Sequence, residues 1–218
     1  MKRFALLLAL VLILSACAEL PPPADTAPPR PTQTAAPSLS IEDCYALLES
    51  PEEGFNWLRS AMGCVFEEPS QIDLEFLFHS GFRDGSWEQL SAESEAWLIE
   101  ERGFLREMDL QPMAAERIEE ILHNTFGISL SACAMPWGWE YVEKEDLYCS
   151  NHNDAYFPPP FTITAVEDNG QTIHIHYHVD DTFYNTATHR FVTDVDMIYT
   201  LERQEDGTYH AVSNVCVP

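Results

Sequence analysis

Lysine is nearly absent from this chain. From residue 17 onward Lys144 is the only one, and 9 basic side chains there face 36 acidic ones, a net charge near −27 with neutral histidines. Nucleic-acid binding rests on Lys and Arg that neutralise phosphates, so the composition excludes it. Anionic headgroups repel such a chain for the same reason. Long hydrophobic runs are scarce too. The longest, Phe4–Leu14, has eleven residues, well short of the ~20 needed to span a bilayer. Local catalytic motifs are also missing: there is no Gly-x-Ser-x-Gly, Ser-x-x-Lys, His-Glu-x-x-His, phosphate-binding glycine loop or dinucleotide fingerprint. That absence lowers the expectation of an enzyme without removing it.

What the N-terminus does contain is an address. Met1-Lys2-Arg3, the apolar run and the small residues Ser15-Ala16 form the three parts of a secretory signal. The ending Leu14-Ser15-Ala16-Cys17 resembles the lipobox of bacterial lipoproteins. There the cysteine thiol receives a diacylglycerol and becomes the new N-terminus. The resemblance implies a signal peptide over 1–16, lipidation at Cys17 and an extracytoplasmic protein whose membrane partner is its own lipid. Two acyl chains meet the requirement for stable anchoring. Ala18 in place of Asp resembles outer-membrane sorting where a second membrane exists; in a one-membrane cell the protein would sit on the outer leaflet.

Residues 17–39 read as a spacer. Seven prolines lie among Ala, Thr and Ser between 18 and 39, with no large hydrophobic residue between Leu20 and Leu39, a composition that cannot build a core. Residues 40–218 are then expected to form one domain, mainly helical over 40–130, loop-rich over 131–160 and a sheet over 161–216. Ser40 with Asp43 forms a weak capping box before Ile41, Cys44, Tyr45 and Leu48. Ser50-Pro51-Glu52-Glu53 reads as a stronger start, opening a helix that carries Phe55, Trp57, Leu58, Ala61 and Met62. Further helices are expected over Ser91–Arg102 and Pro112–Phe126, the latter closed by Gly127. Asp168-Asn169-Gly170 and Asp206-Gly207 separate four β-rich runs, Phe161–Glu167, Gln171–Asp180, Phe191–Arg203 and Thr208–Cys216. The fold class expected is α+β, with N-terminal helices packed on a four-stranded antiparallel meander. That order looks like the NTF2-like or cystatin-like superfolds, which host enzymes and inert binding modules alike.

Ile72–Phe78, the Glu-rich helix after Ser91, Arg117–Leu122 with Phe126–Leu130, and Leu147-Tyr148 with His152-Asn153-Asp154 together resemble uncharacterised surface lipoproteins of clostridial gut bacteria. The likeness runs over roughly residues 50–180 and brings no activity with it.

Two segments are candidates for chemistry. His174-Ile175-His176-Tyr177-His178 places three imidazoles on one strand face, with Ile173, Ile175, Tyr177 and Val179 toward the core. Two alternate histidines with an oxygen ligand from Asp180, Asp181 or Asp194 make a Zn²⁺ or Cu²⁺ site or a hydrolytic centre conceivable; a polar solvent-facing row is the commoner use, and no cofactor is the base expectation. The second segment, Trp137, Trp139, Tyr148, His152 and Asp154, has the chemistry to stack on and hydrogen-bond a sugar, small molecule or peptide, although such tryptophans more often plug a core. A Cys149–His152 thiol–imidazole pair has nothing but spacing behind it. After Cys17, five cysteines remain, an odd number whose connectivity sequence does not specify; an exported chain can form disulfides, Cys133 with Cys149 and Cys44 with Cys64 being two such pairs, and five reduced thiols are the alternative. Altogether the sequence favours a non-enzymatic binding or envelope domain, with a metal-binding or hydrolytic enzyme as the alternative.

Overall fold

A computed structural model of the chain describes residues 38–49, 55–79, 88–134, 138–151 and 159–217. Helix α1 spans Ile41–Leu48, and its start is the expected capping box: the Ser40 hydroxyl accepts from the Asp43 amide at 3.1 Å, and the Asp43 carboxylate accepts from the Ser40 amide at 2.8 Å. The stretch Ser50–Glu53 lies outside the described residues. Helix α2, Trp57–Ala61, starts on a different cap. Asn56 Oδ1 accepts from the Arg59 amide at 3.0 Å while its Nδ2 donates to the carbonyls of Leu47 and Glu49 at 2.8 Å each. One side chain thus closes the C-terminus of α1 and opens α2. Helices α3, Leu74–His79, and α4, Ala92–Glu100, follow.

Pro112 does not start a helix. It sits in strand β1, Leu110–Ala114, and helix α5 runs from Ala115 to Phe126 with no side-chain cap. Proline is tolerated there because β1 is an edge strand. Gly127 closes α5 as expected, with φ +67. The loop-rich stretch 131–160 also carries short strands. They are β2, Glu140–Val142, and β3, Leu147–Asn151, which join β1 in a three-stranded antiparallel sheet ordered β1-β3-β2.

The main sheet is antiparallel in the order β4-β5-β8-β9, made of Thr162–Asp168, Thr172–Val179, Val195–Arg203 and Tyr209–Cys216. The α+β class therefore holds, with this sheet C-terminal to the helices. The meander has an insertion that its pattern did not announce: between β5 and β8 the chain makes a small hairpin, β6 Phe183–Asn185 with β7 Arg190–Val192. The run Phe191–Arg203 is consequently two strands, interrupted at Asp194, whose φ is +57.

The described residues belong to one compact unit; residues 1–37 lie outside them. The core is built by alternation. Ile173, Ile175, Tyr177 and Val179 of β5 and Met197, Tyr199 and Leu201 of β8 are buried, against Leu48, Met62, Phe66, Leu77, Phe78, Ile118 and Leu122 from the helical half. Each such side chain contributes roughly 1.5–3 kcal/mol. Its buried tyrosine hydroxyls are satisfied: Tyr199 donates to the Leu58 carbonyl at 2.9 Å, and Tyr177 donates to Asn214 Oδ1 at 2.9 Å. Asn214 in turn donates to the carbonyls of Met62 and Cys64 at 3.1 and 2.8 Å. A second cluster, Leu98, Phe104, Val142, Leu147 and Cys149, lies between α4 and the small sheet.

Candidate functional site

The three histidines share the sheet face opposite the core, as the alternation requires: along β5 the half-buried Thr172, His174, His176 and His178 alternate with buried apolar residues. Their neighbours differ. His174 Nδ1 is 3.1 Å from Thr200 Oγ1, directly across on β8. His176 Nε2 is 3.4 Å from Glu167 Oε1, without forming a hydrogen bond. His178 is enclosed by carboxylates: Nδ1 is 2.8 Å from Asp196 Oδ1, and Nε2 is 3.1 Å from Asp180 Oδ1 and 3.2 Å from Asp194 Oδ1. The hydrogen bond to Asp196, seconded by the charges of Asp180, Asp196 and Asp194, outweighs partial desolvation and holds the His178 imidazole above its ordinary range.

Alternate residues on a strand stand roughly 6.6 Å apart, whereas ligands of one Zn²⁺ each lie about 2.0–2.1 Å from it. Three successive imidazoles of a row do not converge on such an ion, and here each turns to its own neighbour. Among the described residues, no group of three or more His, Cys, Asp or Glu side chains has an arrangement that holds a metal ion.

Of the aromatic segment, Trp137, His152 and Asp154 lie outside the described residues, as does Cys17. Trp139 and Tyr148 are placed, and both pack against the main core. They belong to a run of rings in which Trp57, Phe78, Trp139, Tyr148 and Tyr141 follow one another at centroid separations of 5.4, 5.5, 6.5 and 4.9 Å. The run stitches the small sheet to α2 and α3, at roughly 0.5–1.5 kcal/mol per pair beyond area burial.

Beside this segment lies a feature the sequence did not single out. A cavity of about 570 Å³ is bounded by Arg102, Phe104, Leu105 and Met108 on one side and Glu140, Ser150 and Asn151 on the other. Arg102 Nη2 pairs with Glu140 Oε1 at 2.6 Å. Asn151 pins the opposing loop: its Oδ1 accepts from the Leu105 amide at 2.6 Å, and its Nδ2 donates to the carbonyls of Leu105 and Met108 at 3.2 and 3.3 Å. A lining that mixes Phe104, Leu105 and Met108 with Arg102, Glu140 and Asn151 suits a small polar–apolar ligand. The only sequence signal was Gly103 with φ +79, which turns the chain out of α4 into that loop.

Cys44, Cys64, Cys133, Cys149 and Cys216 are all free, so neither bridge considered from the sequence is formed. Cys149 is fully buried, and burial pushes its thiol up to about 12, the reverse of what an activated nucleophile needs.

These elements define a class: an α+β domain whose main sheet is covered by helices on one face and carries a histidine–aspartate row on the other. No family model matches the chain, and no curated protein or solved structure matches it.

Proposed function

We propose that this protein is a lipid-anchored extracytoplasmic domain that binds a ligand or partner and does not turn over a substrate. The observation that carries the anchor is Leu14-Ser15-Ala16-Cys17 placed behind a basic start and an eleven-residue apolar run. The proline-rich stretch over 18–39 supports the reading of a spacer. A charge near −27 leaves the lipid as the membrane contact.

Binding is favoured over catalysis by what surrounds the polar groups. The carboxylates of Asp180, Asp194 and Asp196 are 68–86% exposed, so they sit in water, where a general acid or base gains little from a pocket. The 570 Å³ cavity between the Arg102–Met108 loop and β3 is the better receptacle, with a lining that mixes apolar Phe104, Leu105 and Met108 with Arg102, Glu140 and Asn151. A thermal-shift screen of sugars, amino acids and short peptides against the wild type and Phe104→Ala tests the pair of claims. Ligands that stabilise the wild type but not the variant support the cavity as the site. Turnover of any screened compound contradicts the non-enzymatic reading. For the anchor, Cys17→Ala is expected to move the protein from the detergent phase to the aqueous phase; an unchanged partition overturns it.

A further inference from the structure

The link from β5 to β8 leaves the sheet at Asp180, makes the β6–β7 hairpin and returns at Asp194. A single imidazole touches both ends of it. His178 Nε2 lies 3.1 Å from Asp180 and 3.2 Å from Asp194, while Nδ1 lies 2.8 Å from Asp196. A neutral imidazole has one N–H and one lone pair, so at one of its nitrogens a lone pair would face carboxylate oxygen. Only the doubly protonated ring donates on both sides. Asp194 adds an independent sign: its φ of +57 is a left-handed conformation that an L residue adopts at a cost. The His178 contact sits at that point of strain.

We propose that protonation of His178 clasps the neck of the β6–β7 hairpin, and that loss of the proton releases Asp180 and Asp194. Other groups do not compete for the role. Across the sheet on β4 the residue opposite His178 is Thr162, on β8 it is Asp196, and the next histidine of the row, His176, faces Glu167. The Asp181 carboxylate is occupied with the Thr182 amide at 2.6 Å. The rest of the hairpin is held separately, at its base by buried Phe183 and at its turn by Thr186, whose hydroxyl accepts from the Val65 amide at 2.7 Å. Release is therefore confined to the neck, residues 180–182 and 193–194.

The sign follows from the direction of the shift. A histidine held above its ordinary value near 6.5 contributes fully below that value, and the contribution is lost as pH rises through the elevated one. Hydrogen-exchange mass spectrometry on the full chain from about pH 5 to 9, corrected for intrinsic exchange, reads the neck amides directly. The expected result is a fall in protection at 180–182 and 193–194 with a midpoint above 6.5, absent in His178→Gln. No fall, or the same fall in His178→Gln, overturns the proposal. Should His178→Gln fail to fold, Asp180→Asn and Asp194→Asn each keep the imidazole and remove one partner. Both are expected to lower the midpoint, and a midpoint unmoved in both overturns the clasp.

Discussion

The Arg203 guanidinium lies 2.9 Å from the Asp168 carboxylate, with the two side chains 11% and 0% exposed, and the same carboxylate accepts the amide of Leu39 at 2.9 Å. A single buried ion pair thus joins the β4–β5 turn, the end of β8 and the residue that precedes the N-cap of α1. Burial opposes the Asp168 charge, but the amides of Leu39 and Gly170 together with Arg203 outweigh it and hold the carboxyl below its usual range. Asp168→Ala is expected to lower stability by about 3 kcal/mol, because Arg203 then loses its buried counter-charge; a shift of the urea midpoint checks it. Asp168→Asn keeps an acceptor for Leu39 and isolates the charge. The gap between wild type and Asp168→Asn is expected to be full above the unfolded aspartate value and to close as pH falls through the lower folded one.

Asn214 is wholly buried and makes three hydrogen bonds that tie β9 to the Met62 and Cys64 carbonyls and to the Tyr177 hydroxyl. Asn214→Ala leaves those three groups without this partner at once. The expected loss is about 2–4 kcal/mol, measured by chemical denaturation, with the isolated bridge between Phe66 and Asn214 losing exchange protection.

Gly127 is required for two reasons. Its φ of +67 costs any L residue about 1–2 kcal/mol, and an added Cβ would meet His210 Nδ1 at 2.6 Å. Gly127→Ala is expected to exceed the conformational cost alone. The companion His210→Ala in the same background should recover the steric part and leave the rest, which a double-mutant cycle by thermal melting separates.

Helix α4 has its own N-cap, Ser91, whose hydroxyl accepts from the Ser94 amide at 3.2 Å, and that cap is braced from outside. The Glu145 carboxylate accepts from the Ser91 amide at 3.2 Å, from the Ser91 hydroxyl at 2.6 Å and from the Ser94 hydroxyl. Those contacts, the Ser91 hydroxyl first, hold the Glu145 carboxyl below its usual range. Glu145→Ala is expected to cost about 1 kcal/mol and to raise exchange in the first turn of α4 more than in α5. The effect should vanish at acid pH, as Glu145 is protonated through its lowered value.

Much of the main sheet was legible because its strands are long enough to show a period of two. Ile173 to Val179 alternate without a break, and the turns at Asn169-Gly170 and Asp206-Gly207 declare themselves. The Ser40–Asp43 box and Gly127 were legible because a cap is a local arrangement. The short strands were not. Glu140–Val142, Phe183–Asn185 and Arg190–Val192 have three residues each, too few for a period, and Asp194 with its positive φ hides a break inside a run that alternates on paper. Pro112 misled because proline at a first helical turn and proline in an edge strand look alike until the partner strand is known. At the candidate site, alternation alone put the imidazoles on one face. Their separate partners depend on register: His174 meets Thr200 and His178 meets Asp196 only once β5 and β8 are paired.

The anchor at Cys17 is the claim on which the account turns, and the mass of the mature N-terminal peptide tests it most directly. The expected product is a peptide beginning at Cys17 and carrying a diacylglyceryl group on the thiol. An unmodified Cys17, or a mature chain that starts elsewhere, would contradict it.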